Sequence, residues 1–375
     1  MVQKVIRGRG SIEKTQVMLE KLGIERPMII GSVHLTGRLL KKNPTLLASP
    51  VFSEYHPNPD LKDAVPAMNL FRNGKCDGII SIGGGSAMDT AKTVKALLYA
   101  ESTETAMEGR FPDRMETPHL AIPGTAGTGA EATQNAVVYI GNRKISLSHQ
   151  DLQPEGVILD ADLLDTLPEY HKKSAALDAL SQGIESYWCA AATADSRVHA
   201  FLAVLGVLDN LKAYLAGDPH AAEEMMDASF QSGKAIQITR TTAAHAMSYQ
   251  LTKTMGYAHG HACMLTLPIL WEQLEKHEEL KAVLEDLSRK IRLTDSRAVP
   301  KLLRGILYDL DMEIPDLPAE EVLNSLADAV DPQRLGNHPV PMTREEVKQT
   351  YRKAFTPLCT AEKQACLDLW KYYNA

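Results

Sequence analysis

The chain has 375 residues, 44% hydrophobic and 23% charged, enough for two domains with separate cores. Its formal net charge of −7 argues against nucleic acid as a partner, although a local basic pocket is compatible with it. The five cysteines (76, 189, 263, 359 and 366) form no CxxC pair, so neither a disulfide framework nor a zinc knuckle is indicated.

The opening "MVQKVIRGRGSIEK" has no apolar leader core, and no run of about 18 apolar residues occurs, so the expectation is a soluble cytoplasmic protein with no membrane partner. Ser11 reads as the cap of a first helix, "SIEKTQVMLEKLG". "PMIIG" (27–31), "SPVFSEY" (49–55), "CDGIISIG" (76–83) and "PHLAIPG" (118–124) read as buried strands. "DLKDAVPAMNLFRNG" between them is helical and ends at Gly74. This alternation predicts an α/β domain with a parallel sheet over 1–165. "ATQNAVVYIGNRKISLSH" (132–149) reads as a hairpin turning at "GN".

Beyond Asp160 the pattern changes to long 3.6-residue periods, with Pro168 at a plausible helix start, which predicts an all-helical domain over 166–375. "DPQRLGNHPVPMT" (331–343) is the longest loop, and a final helix begins near Thr343.

Two Gly-rich loops follow strands. "IISIGGGSAMDTAK" (79–92) sets Gly83, Gly84, Gly85 and Ser86 between a strand and a helix. There, bare backbone amides and the helix N-terminus suit a pyrophosphate. "IPGTAGTGAEAT" (122–133) is the second such loop, and the two together suit a dinucleotide. In the helical half, Asp178 and Gln182 lie at i and i+4, while His245 and His259 stand fourteen residues apart. One carboxylate, two imidazoles and an amide oxygen form a suitable set for a divalent ion, although a satisfied buried pair explains Asp178 and Gln182 equally well.

The motifs "GGGSAMDTAK", "GTAGTGAEAT", "ALDALSQGIESYW" and "HAMSYQLTKTMGYAHGHA", in this order, resemble the iron-dependent (group III) alcohol dehydrogenases. The resemblance implies a dehydroquinate synthase-like fold, with an α/β dinucleotide-binding domain, an all-α domain and a catalytic divalent metal, Fe2+ or Zn2+, in the cleft between them. It implies the ligands Asp178, Gln182, His245 and His259, with Gln182 standing where most members have His. It also implies cofactor contacts from Asn58, Gly84, Gly85, Ser86, Asp89, Thr125, Thr128 and Lys144; Gly124 and Ala130 depart from the usual Thr and Ser. Ser32 stands where NAD-specific relatives often carry Asp, so NADPH is tolerated beside NADH, unless Ser32 merely caps a turn. Family members are often dimers, so a homo-oligomer is expected.

"ESYW", Tyr249, "HGHAC" and "DPQRLGNHPVP" further resemble the phosphonoacetaldehyde reductases of that family. The implied reaction is NAD(P)H-dependent, metal-assisted reduction of phosphonoacetaldehyde to 2-hydroxyethylphosphonate. Tyr249 and His261 are the candidate proton donors. Arg240, five residues before His245 and read as on the same helix, and Lys253 are candidate clamps for an anionic substrate, against an interhelical salt bridge for Arg240 and plain exposure for Lys253. The alternatives are a general small-aldehyde reductase, a metal-independent enzyme of the maleylacetate reductase kind, a dehydroquinate synthase-like lyase, and a non-catalytic dinucleotide-binding module.

Overall fold

The computed structural model describes residues 2–57, 59–141 and 143–374. The chain divides into two compact units. The first runs to Leu167 and also takes in Gly217–Gly233; the second comprises Pro168–Ala216 and the residues from Lys234 onward. The boundary falls beside Pro168, but residues 217–233, which the sequence reading gave to the helical half, group with the first unit.

In the first unit the strands are β1 (Lys4–Arg7), β2 (Pro27–Gly31), β3 (Val51–Phe52), β4 (Gly78–Gly83), β5 (His119–Pro123), β6 (Asn135–Ile140), β7 (Arg143–Ser148) and β8 (Gly156–Leu159). Six of them form one parallel sheet in the order β1-β8-β5-β4-β2-β3, and β6 and β7 pair as an antiparallel hairpin. Helices α1 (Thr15–Leu22), α2 (Val33–Lys42), α3 (Leu61–Asn73), α4 (Gly85–Tyr99) and α5 (Thr103–Met107) belong to it, together with most of the helix over Pro219–Thr239. Every residue of β2, β4, β5 and β8 is buried, as expected of a parallel sheet covered on both faces. Strand alternation divides the core accordingly. Ile29, Ile80, Ile82 and Ile122 face one layer with Met18 and Leu19, whereas Met28, Ile30 and Ile79 face the other with Phe71 and Val94.

Chain order reverses between β2 and β4, the switch point at which ligands bind beyond strand carboxyl ends. Ser32 and Gly84 directly follow those two strands. β1 and β8 escaped the sequence reading; each is only four residues long and pairs mainly with the other. In the hairpin Gly141 adopts φ 58°, and Asn142, the other half of the expected turn, lies outside the described residues.

The second unit is helical throughout its described residues, with α6 (Glu169–Trp188), α7 (Ala194–Leu215), the end of α8 (Pro219–Thr239), α9 (Ala243–Met255) and α10 (His259–Leu274), followed by six further α-helices between residues 278 and 373. Pro168 caps α6, and Thr343 caps Arg344–Ala354. Among the described residues, α7 alone is long and apolar enough by composition to cross a membrane, and it packs along α6.

Candidate functional site

In the second unit, α6 brings Asp178, Gln182 and Glu185 to the i, i+4 and i+7 positions of one face, all buried. α9 begins two residues before His245, and Gly256, at φ 76°, ends it in the left-handed conformation that lets the chain turn into α10. His259 and Cys263 then occupy the first two turns of α10, four residues apart on one face. Gly260 sets the fit of α10 against α6. A Cβ there would lie 2.0 Å from the Ser174 carbonyl oxygen and 2.5 Å from the Asp178 nitrogen, so only glycine permits this approach.

As a result, one donor atom each from Asp178, His245, His259 and Cys263 lies within 4.8 Å of the others. His245 Nε2 is 3.3 Å and His259 Nε2 is 3.9 Å from the same Asp178 Oδ1. Each imidazole is held through its other nitrogen. His245 Nδ1 meets Glu185 Oε2, while Glu185 Oε1 accepts hydrogen bonds from the Thr242 hydroxyl (2.6 Å) and the Ala244 amide (2.7 Å). Burial pushes the Glu185 carboxyl up, but His245 and these donors outweigh it, and its pKa lies below the usual value. Ser248 donates to the His245 carbonyl (2.8 Å), and its Oγ is 3.2 Å from His259 Nδ1. Imidazoles fixed at Nδ1 by a carboxylate and a hydroxyl, with both Nε2 atoms turned to one carboxylate, are oriented as metal ligands are. The largely buried donor set, with only His259 partly exposed, fits a borderline divalent ion. Gln182, one turn beyond Asp178, is buried on the same helix.

The Tyr249 ring stacks on His259 with centroids 5.5 Å apart and an interplanar angle of 14°. Arg334, in the short helix Pro332–Leu335, lies over the Tyr249 ring, 4.9 Å from its centroid, and donates to the Tyr249 hydroxyl at 3.1 Å. Its nearest carboxylate contact is Asp331, at 3.7 Å. Burial raises the Tyr249 phenol above its ordinary pKa, against the opposing charge of Arg334, so it remains protonated at neutral pH.

Other sequence candidates fall elsewhere. Arg240 was expected on the helix that carries His245. It lies instead in the link after α8, exposed and with φ 63°, because α8 stops at Thr239 before α9 begins. Lys253 is exposed two turns along α9 from His245. His261 is buried away from the donor cluster. Its Nδ1 is 3.1 Å from the Tyr170 hydroxyl and its Nε2 2.8 Å from the Glu313 carbonyl oxygen, so both ring nitrogens are engaged in packing.

In the first unit, Gly84 sits extended at the start of α4 with no side-chain cap, leaving the first helix amides for a ligand. The second loop packs directly upon it. A Cβ on Gly84 would lie 3.3 Å from Thr125 Cγ2, one on Gly85 3.1 Å from Thr128 Cγ2, and the Gly124 amide donates to the Gly83 carbonyl at 2.8 Å. Ser86 follows in the first turn of α4. Lys92, fully buried two turns further on, ties the second loop down by donating to the Ala130 carbonyl (2.7 Å), the Thr133 hydroxyl (3.0 Å) and the Asn135 carbonyl (2.8 Å). Burial lowers its pKa to about 8. Asp89 is pushed up to about 6 by burial, against Lys92, the Val137 amide and Lys144 of β7. Ser32 Oγ accepts from the Leu35 amide at 3.3 Å, capping α2. Asn58 lies outside the described residues.

Sequence reasoning missed Glu185, Cys263, Arg334 and Lys92. For Glu185 and Cys263 the available signal was spacing: Glu185 follows Gln182 by three residues and Cys263 follows His259 by four, each on the ligand-bearing face.

Residues 2–161 match the family description "Iron-containing alcohol dehydrogenase", and residues 173–355 match "Fe-containing alcohol dehydrogenase family, C-terminal". The phosphonoacetaldehyde reductase of Streptomyces viridochromogenes is 34% identical over 62% of this chain, a stretch that spans 61% of that protein's length. The lactaldehyde reductase of Escherichia coli is 27% identical over 93% of this chain and 97% of its own. Among solved structures, sulfoacetaldehyde reductase from Bifidobacterium kashiwanohense, in complex with NAD+, superposes with a TM-score of 0.88 at 25% identity, covering 94% of this chain and 97% of that one. With both halves matched in order and the fold shared along nearly its whole length, this chain belongs to the iron-containing alcohol dehydrogenase family.

Proposed function

We propose that this chain is a cytoplasmic NAD(P)H-dependent, metal-assisted reductase of small aldehydes carrying a tetrahedral anionic group, with phosphonoacetaldehyde as substrate and 2-hydroxyethylphosphonate as product. The observation that carries this reading is Arg334, whose guanidinium lies over Tyr249, itself stacked on His259 of the donor cluster. A guanidinium fork held by a phenol, with its nearest carboxylate only at 3.7 Å, retains donors for a phosphonate. Two similar proteins act on aldehydes of this shape, one named for phosphonoacetaldehyde and one for sulfoacetaldehyde.

The first unit supplies the dinucleotide loops, with the α4 amides, Thr125 and Thr128 available to a pyrophosphate, and Lys92 holding the second loop in place. Ser32 puts no negative charge beside an adenosine ribose, which permits a 2′-phosphate. In the second unit Asp178, His245 and His259 would hold the ion, with Glu185 and Ser248 fixing the two imidazoles. When bound, a divalent ion supplies Lewis-acid polarisation of the aldehyde oxygen. A bound NAD(P)H would supply hydride to the carbonyl carbon, leaving one proton to complete the alcohol. Tyr249 Oη, protonated and accepting from Arg334, is the group of this chain suited to deliver that proton.

The test is steady-state NADPH and NADH oxidation with phosphonoacetaldehyde and with acetaldehyde. A kcat/KM at least about tenfold higher for the phosphonate, some 1.4 kcal/mol of discrimination, supports the reading. Equal values would leave only a general aldehyde reductase.

A further inference from the structure

The family ligand pattern assigns this chain three strong donors and one weak one, Gln182. The structure brings a different group to the same place. Cys263 is fully buried one turn along α10 from His259, and its sulfur belongs to the set of donor atoms lying within 4.8 Å of one another. We propose that Cys263 is the fourth inner-shell ligand of the divalent ion, in the role that most relatives give to a histidine.

Three observations carry this. First, the Gly260 contact draws the N-terminal turns of α10 onto the α6 backbone at Asp178, fixing both His259 and Cys263 against that carboxylate. Second, the Cys263 sulfur lies within 4.8 Å of the donor nitrogen of His245, whose Nε2 also faces Asp178. Donors around one tetrahedral ion stand about 3.3–3.8 Å apart, so the four need to close by only about an ångström. Third, the charges match. One carboxylate, one thiolate and two neutral imidazoles cancel a 2+ ion, whereas a neutral amide in the fourth place leaves a net positive inner shell in a largely buried site. On binding, the thiol loses its proton to solvent and the sulfur forms the metal bond. A thiolate in the set also favours Zn2+ by softness.

This inference rests on the metal-assisted reading above, and the experiment separates the two. Metal-free full-length protein is titrated with Co2+ and followed by absorption, and Zn2+ affinity is measured by chelator competition in the protein and in Cys263→Ser and Gln182→Ala. The expected result is a near-ultraviolet thiolate-to-Co2+ charge-transfer band in the unmodified protein, kept in Gln182→Ala and absent in Cys263→Ser. Zn2+ affinity of Cys263→Ser should fall by at least about tenfold, since even residues that only orient a ligand are worth that much. Bound Co2+ with visible d–d bands but no charge-transfer band, or unchanged Zn2+ affinity in Cys263→Ser, overturns the inference and leaves the metal-assisted reading standing. Failure of the unmodified protein to bind either ion overturns both.

Discussion

Arg334→Ala removes the guanidinium while leaving the donor cluster intact. At about 4 Å and an effective dielectric of about 20, one charge pair contributes about 4 kcal/mol. The Arg334 side chain is 26% exposed, so solvent screening reduces this to about 2 kcal/mol. That corresponds to a loss of about 30-fold in kcat/KM for phosphonoacetaldehyde. Acetaldehyde has no anion to bind and should lose less than about threefold, a margin that also covers any slackening of the Tyr249 ring. Arg334→Lys should recover part of the loss, because it restores the charge without the planar fork. The assay is initial-rate NAD(P)H oxidation over a range of each aldehyde. Equal losses for both aldehydes would refute anion recognition and make Arg334 a support for Tyr249 alone.

Glu185→Gln keeps the shape but removes the carboxylate that orients His245, so divalent-ion affinity should fall by about 10–100-fold in chelator competition; unchanged affinity would contradict that role. Burial pushes Glu131 up to about 7 from 4.5, so between those values the folded state keeps a proton the unfolded state has released. Its contribution is therefore full below about pH 4.5 and is lost as pH rises through about 7. Glu131→Gln should be more stable relative to the natural protein at pH 8 than at pH 5 in urea unfolding, and a pH-independent difference would contradict the titration. Ser32→Asp places a carboxylate at the carboxyl end of β2, and kcat/KM with NADPH should fall about 10–100-fold while that with NADH changes little; equal effects would remove Ser32 from the cofactor site.

Much of the fold was legible because local and global signals agree. Continuous apolar runs such as "IISIG" proved to be strands buried on both faces, and the glycines after them mark the loops at the switch point. β1 and β8 were missed because "KVIR" and "GVIL" are too short to show a period, and their pairing joins residues about 150 positions apart. Arg240 was misread because the apolar spacing of "QITRTTAAH" runs smoothly through a point where the backbone reverses to φ 63° and the helix ends. His261 looked reactive beside His259, yet two residues of helix turn it by about 200° to another face, against Tyr170 and Glu313. Cys263 drew no notice because it stands among five scattered cysteines with no CxxC pair, and an isolated cysteine in a helix is usually a small buried residue. Arg334 could not have been found from sequence. It lies in the longest loop candidate, and its partner Tyr249 is 85 residues away.

The most direct measurement is phosphorus NMR of the metal-loaded protein with phosphonoacetaldehyde and NAD(P)H, before and after exhaustive chelation. The account predicts conversion to 2-hydroxyethylphosphonate, one equivalent for each NAD(P)H oxidised, and loss of that conversion on chelation. No conversion by the loaded protein, or full conversion after chelation, would contradict it.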